Sequence, residues 1–359
     1  MLELTSLHNP DGGLFGIEPD ALARIGETII GFPIQEYEIR FTHTLAEGFQ
    51  GERADKCLPT LHFMDQRGMP KAITLFIKRH HHYEQNEAIH HRHLALAEAP
   101  VPRLYGYYSA PSQRDVTISE FLEPLLIDEP YDDFLLDRRT FGAFLEATAL
   151  FTSIQVTPQY HAHLEQGYFE QRFRSYVRNL DQLNHVAWPP SPTMALPPVA
   201  IRTLTQLLHG LCDQAETMKK GIYHWDHRPC NAGWSRLQNA LVIFDLEDTL
   251  LAPRFLDIAQ WLGAPDTRET RYASQEHLAE GFLGIYNTRK GVKISVDEFL
   301  AEVAVLWKLF LYGRIRWYLH ELGEQPTDRR EDNDPEVYKQ GICKRLHEAL
   351  MTLLAEGTC

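Results

Sequence analysis

Residues 224–234 read HWDHRPCNAGW, and after a short turn residues 240–257 read ALVIFDLEDTLLAPRFLD. Asp226 and Asn231 share the first loop. A second carboxylate, Asp245, ends the apolar run Leu241, Val242, Ile243 and Phe244. Three oxygen donors therefore fall on two neighbouring loops. This set suits phosphoryl transfer from ATP, in which one carboxylate orients and deprotonates a hydroxyl while an amide oxygen and a second carboxylate hold Mg²⁺ against the phosphates. His224 and the Arg228-Pro229 pair are expected to hold the loop, because proline removes backbone freedom between the two functional side chains. Read without that chemistry, Asp226 and Asn231 cap a turn or helix start and Asp245 ends a strand.

The order H-x-D-x-x-P-x-N, a hydrophobic strand and then D-x-E resembles the catalytic and metal-binding segments of the aminoglycoside phosphotransferase and choline kinase branch of the protein-kinase-like fold. The resemblance implies that Asp226 is the catalytic base and that Asn231 and Asp245 bind Mg²⁺. It gives Asp257, in Asp257-Ile258-Ala259, a structural role. Two positions depart from the family pattern: Trp225 stands where glycine is usual, and His227 replaces a common leucine. Neither removes a chemical group, but Trp225 is expected to alter packing beneath the base.

A chain of 359 residues is long enough for two lobes with separate cores. Hydrophobic residues at 44% and charged residues at 23% are ordinary for a soluble protein. No apolar run approaches the roughly 20 residues that span a bilayer. The first residues, MLELTSLHNPDGG, lack a basic region followed by an apolar core, so the expected location is the cytosol. Five scattered cysteines without C-x-x-C spacing are read as free thiols. A net charge of -14 argues against nucleic acid or an anionic membrane as partner and suits a cationic or neutral small molecule.

Upstream, residues 1–35 form an extension whose Ile17, Leu22, Ile25 and Ile29 predict a leading helix. From Glu36 to Lys78 the pattern turns to three antiparallel strands, YEIRF, LPTLHFMD and AITLFIKR, with an irregular segment AEGFQGERADK. Gly48 and Gly51 in that segment occupy the place of a phosphate-covering loop. Lys78 ends the third strand, and Glu87 on the following helix is placed to point back at it, the arrangement that steadies the α- and β-phosphates in kinase-type sites. VPRLYGYY after the helix resembles the family's segment there and favours Glu87 over Glu84. Six of the 18 histidines crowd KRHHHYEQNEAIHHRH, without a metal-binding spacing, and predict a polar helix face. Ile118 to Leu122 reads as a hinge strand, with Glu120 and Leu122 beside the adenine of a nucleotide.

Beyond the hinge, helical periodicity dominates, interrupted by the proline-rich WPPSPTMALPP and the charged EQPTDRREDNDP. The expected fold is α+β and bilobal, protein-kinase-like: an extension over residues 1–35, a small antiparallel-sheet N-lobe over 36–120, and a larger mainly helical C-lobe over 121–359. The expected activity is ATP- and Mg²⁺-dependent transfer of a phosphate to a small-molecule hydroxyl. Glu120, Glu123, Asp128, Glu129, Asp132, Asp133 and Asp137, with no Lys or Arg among them, point to a cationic acceptor. The rival is a nucleotide-binding scaffold without transfer.

Overall fold

The computed structural model describes residues 1–47, 53–80, 85–125, 131–164, 176, 180, 182–183, 196–264, 271–323 and 335–356. The chain forms two compact units. One comprises residues 1–156 with 224–249, the other residues 157–223 with 250–359.

The first unit is built on a six-stranded sheet, ordered β1-β5-β6-β4-β3-β2. Its strands are β1 (Leu2–Glu3), β2 (Tyr37–Glu47), β3 (Arg53–Met64), β4 (Pro70–Arg79), β5 (Leu104–Ala110) and β6 (Gln113–Glu120). The three expected strands are β2, β3 and β4, each antiparallel to the next. They reach into the segment read as irregular, because the β2–β3 ladder continues to Glu47 opposite Arg53. The parallel pairing of β1 with β5 carries no pattern of its own in the sequence. Alternation along β4 buries Leu75 and Ile77 with Phe15, Leu22, Ile25, Val116 and Ile118, which leaves Lys78 to the opposite face.

Helix α1 (Pro19–Ile30) covers that core with Ala21, Leu22 and Ile25. Proline opens it, and Gly31 closes it at φ 78°, where glycine avoids the steric cost of a left-handed residue. Gly26 lets it lie close on β3, since an added Cβ would stand 2.5 Å from Leu61 Cδ2. Helix α2 (Gln85–Leu96) buries Glu87, Ala88, His90, His91 and Leu94. The histidine-rich face is thus partly interior and not polar surface. His91 is tolerated there because its Nε2 donates to the Pro102 carbonyl at 2.8 Å, and burial lowers its proton affinity so that it stays neutral. His81, His82 and Glu84 lie outside the described residues.

Helices α3 (Asp132–Leu136) and α4 (Arg138–Thr152) follow the hinge, divided at Asp137, whose carboxylate accepts from the Arg139 N–H and caps α4. Antiparallel β8 (Ala232–Ser235) and β9 (Ala240–Ile243) complete this unit.

The second unit is mainly helical, with helices over Pro158–Leu164, Pro198–Thr217, Leu256–Leu262, Gln275–Lys290, Val296–Gly323 and Pro335–Glu356. A two-stranded ladder joins β7 (Lys220–Tyr223) to β10 (Leu250–Pro253). Phe255, Phe282, Tyr286 and Phe299 form its aromatic core, and the buried Arg254 guanidinium is neutralised by Glu298 and Glu302. Trp261, Tyr312 and Tyr318 are interior, whereas Trp307, Phe310 and Trp317 are half-buried. The helical pattern over 166–184 and both expected connectors fall almost wholly outside the described residues.

Candidate active site

The loop after β7 is organised by two buried imidazoles. His224 donates from Nε2 to the Phe244 carbonyl at 2.9 Å, and the Asn231 carbonyl accepts from the Phe244 N–H at 2.9 Å. Together they fix the residue before Asp245. Helix α4 backs the loop: Phe144 stacks on His227 at 4.5 Å, and Phe151 meets His224 edge-on. Thr148 Oγ1 donates to the Phe144 carbonyl at 2.6 Å, so it must accept from His227 Nε2 at 2.7 Å, which assigns the Nε2–H tautomer. Burial lowers the proton affinity of both imidazoles, His227 well below its ordinary value. His227, seen in the sequence as a departure, is an anchor.

Pro229 opens a short 3₁₀ turn, Pro229–Asn231, after which β8 begins. Asn231 donates through Nδ2 to both the Asp226 carbonyl and Asp226 Oδ2, each at 2.9 Å. With both amide protons committed, its Oδ1 is left as an acceptor. Arg228 lies across the same carboxylate, Nε to Oδ1 and Nη2 to Oδ2, both at 2.6 Å. Trp225 and Asp245, at φ 76° and 64°, are non-glycine residues in the left-handed region. Such strain persists only where surrounding bonds over-determine the backbone.

On the sheet side, Lys78 and Glu87 are brought together at 2.5 Å, both buried. His80 adds a second partner, Nδ1 standing 3.3 Å from the same carboxylate oxygen while its Nε2 meets Thr117 Oγ1 at 3.0 Å. Burial would raise the Glu87 carboxyl, but the Lys78 charge and His80 hold it well below the usual range.

Carboxylate oxygens of Glu87, Asp245 and Glu247 lie within 4.8 Å of one another. Burial and the charge of Glu87 push Asp245 up to about 6, against the pull of Lys78. Glu247 is exposed as a residue, yet the packing around its carboxylate and the charge of Asp245 push it up to about 8. Like charges gathered in this way suit a cation. Hard oxygen donors alone select Mg²⁺ over soft metals. Glu247 was not singled out from the sequence as a ligand. Its signal was the D-x-E spacing, which returns to one side of the chain around buried Leu246.

The β8–β9 hairpin that joins these two loops is tied to the end of β6 and to the segments around Pro100 and Leu125. Leu125 N–H donates to the Ala232 carbonyl, Ile243 N–H to the Pro100 carbonyl and Ser235 Oγ to Glu120 Oε1. The Glu120 N–H is spent on the Arg103 carbonyl at 2.9 Å. Strand β6 ends there, and among the described residues the main chain of half-buried Leu122 makes no hydrogen bond. Gly48 and Gly51 lie outside the described residues. Cys230, half-buried beside Asn231, has its thiol pushed up by burial, which makes it a poor nucleophile.

No protein-family model and no curated protein sequence matches the chain. Solved structures do. An ethanolamine kinase of Plasmodium vivax superposes with a TM-score of 0.52 at 12% identity, covering 89% of this chain and 82% of that one. A spectinomycin phosphotransferase, in complex with ADP and spectinomycin, gives 0.51 at 14%, covering 94% and 98%. A choline kinase of Cryptosporidium parvum gives 0.50 at 12%, covering 93% and 94%. The chain has the bilobal α+β protein-kinase-like fold that these small-molecule kinases share.

Proposed function

We propose that this kinase-fold protein transfers the γ-phosphate of ATP to a hydroxyl of a small molecule, with Mg²⁺ as cofactor. One observation carries the reading. A single compact unit holds a carboxylate fixed by an amide (Asp226 and Asn231), a buried Lys78–Glu87 pair, and an oxygen cluster suited to a divalent cation.

In the reaction the acceptor oxygen bonds to the γ-phosphorus as the bond to the β,γ-bridging oxygen breaks, and the hydroxyl proton passes to Asp226. Lys78, oriented by Glu87, steadies the α- and β-phosphates, and the main chain near Leu122 meets the adenine. Asn231 Oδ1, Asp245 and Glu247 would hold Mg²⁺, which neutralises phosphate charge when bound. Gly48 and Gly51 remain proposed phosphate-loop positions.

The acceptor is proposed to be cationic. Ethanolamine and choline, for which two of the similar structures are named, carry both an ammonium and a hydroxyl group. Some of the acidic side chains are already engaged elsewhere. Asp137 caps α4 and Glu120 is bonded to Ser235, which leaves Glu123, Asp132 and Asp133 among the described residues. Asp128 and Glu129 lie outside them.

Asp226→Asn tests the reading. Nucleotide binding should persist while turnover falls by about 10²- to 10⁴-fold, the span of general-base catalysis. Turnover within twofold of wild type, or no Mg²⁺-dependent ATP consumption with amino alcohols, aminoglycosides, macrolides or sugars, would favour the scaffold instead.

A further inference from the structure

The carboxylate on which the proposed reaction turns already accepts two hydrogen bonds on Oδ2, and a guanidinium nitrogen lies close against Oδ1. Arg228 Nη2 donates to Oδ2 at 2.6 Å and Asn231 Nδ2 donates to the same oxygen at 2.9 Å, while Arg228 Nε stands 2.6 Å from Oδ1 as an ion-pair contact. The guanidinium thus lies across both oxygens, where a proton donor would have to approach.

Burial does not force this fork. The two side chains keep 39% and 37% of their surface, although Arg228 Nε itself is buried. Loop architecture does not require it either. The loop is already pinned by His224 to Phe244, His227 to Thr148, and Asn231 N–H to the Arg228 carbonyl. The guanidinium is held charged, for although burial would lower its proton affinity, the hydrogen bond and charge of Asp226 raise it above the ordinary value.

A base beside bound ATP meets water long before it meets an acceptor. We infer that Arg228 is a positioning residue that guards against futile hydrolysis, closing Asp226 to water until an acceptor hydroxyl displaces one arm of the fork. The inference rests on the function proposed above. In the suppressed reaction a water oxygen bonds to the γ-phosphorus, and the bond to the β,γ-bridging oxygen breaks. ADP leaves with the electron pair, one water proton passes to Asp226, and the other stays on the phosphate. An exposed ion pair is only weakly held. A bound acceptor, anchored by its other contacts, can therefore open it, whereas a single water has no such anchorage.

The test uses the full chain with Mg²⁺ and ATP and no acceptor, reading phosphate release. Arg228→Ala should raise hydrolysis roughly tenfold or more, part of the full general-base effect. Arg228→Lys, whose ammonium cannot span both oxygens, should fall between it and wild type. Arg228→Ala combined with Asp226→Asn should return to the wild-type rate or below. Arg228→Gln, close in length and uncharged, serves if the alanine variant fails to fold.

Nucleotide affinity, measured by calorimetry with a non-hydrolysable ATP analogue, separates the outcomes. Unchanged or reduced hydrolysis in a variant that still binds nucleotide overturns the guard, as does a rise that survives Asp226→Asn. Lost nucleotide affinity without faster hydrolysis assigns Arg228 to the phosphates instead. A wild-type chain that binds no nucleotide refutes the proposed function itself, and the guard with it.

Discussion

Ser235 donates a 2.7 Å hydrogen bond to the buried carboxylate of Glu120, joining the β8–β9 hairpin to the end of β6. Removing the hydroxyl leaves a buried acceptor with one fewer donor. Ser235→Ala should therefore destabilise the fold by about 1.5–3 kcal/mol, the usual worth of a hydrogen bond to a charged group. Urea denaturation measures it, and a change under about 0.5 kcal/mol, the scatter of surface substitutions, would contradict the link.

The Lys78–Glu87 pair carries a sharper expectation. Lys78→Met strands a buried carboxylate and should cost about 3–5 kcal/mol, whereas Lys78→Met with Glu87→Gln should recover most of that loss. The acid limb has a defined sign as well. Because Glu87 is depressed in the folded state, its stabilisation is present above the ordinary carboxylate range and fades as pH falls through that range toward its native value. In the double variant, thermal denaturation should show a shallower loss of stability on acidification.

The carboxylate cluster gives the opposite slope. Asp245 and Glu247 are raised to about 6 and about 8, so their contribution is full below the unfolded carboxylate range and is lost as pH rises through those values. Mg²⁺ must displace the protons. The stabilisation conferred by Mg²⁺ with ATP should therefore grow between pH 6 and 8, and Glu247→Gln should flatten that growth. With phosphate oxygens needed to complete the shell, Mg²⁺ should bind weakly alone and tightly with nucleotide. Equal affinities by calorimetry would refute the ligand set.

Trp225, at φ 76°, offers a test of strain. Both Trp225→Gly and Trp225→Ala delete the indole, so their difference reports the backbone alone. Glycine should be the more stable by about 1–2 kcal/mol, the cost of a left-handed residue with a Cβ. In a right-handed helical position the order would reverse.

Much of the site was readable because its residues are set by spacing along the chain. Asp226, Asn231 and Asp245 flank short elements whose lengths leave few alternatives, and Lys78 and Glu87 fall near the end of a strand and the start of the next helix. Three features escaped because they depend on rotamers or distant pairing. The fork of Arg228 on Asp226 needs a side-chain direction that no spacing specifies. His227 looked like a departure, and its anchoring role depends on Thr148, 79 residues away. Strand β1 is two residues long and pairs about a hundred residues downstream, too short for any period to register.

That short strand has a consequence for handling the protein. Together with the N–H of Leu4, which donates to the Tyr107 carbonyl, it occupies main-chain groups of β5 that would otherwise lie along an open sheet margin. Unpaired strand margins recruit other chains, and a two-residue cover is too short to recruit in its turn. Trimming these residues, or pulling them away with a bulky fusion, should bare that margin and make the chain associate more readily on concentration.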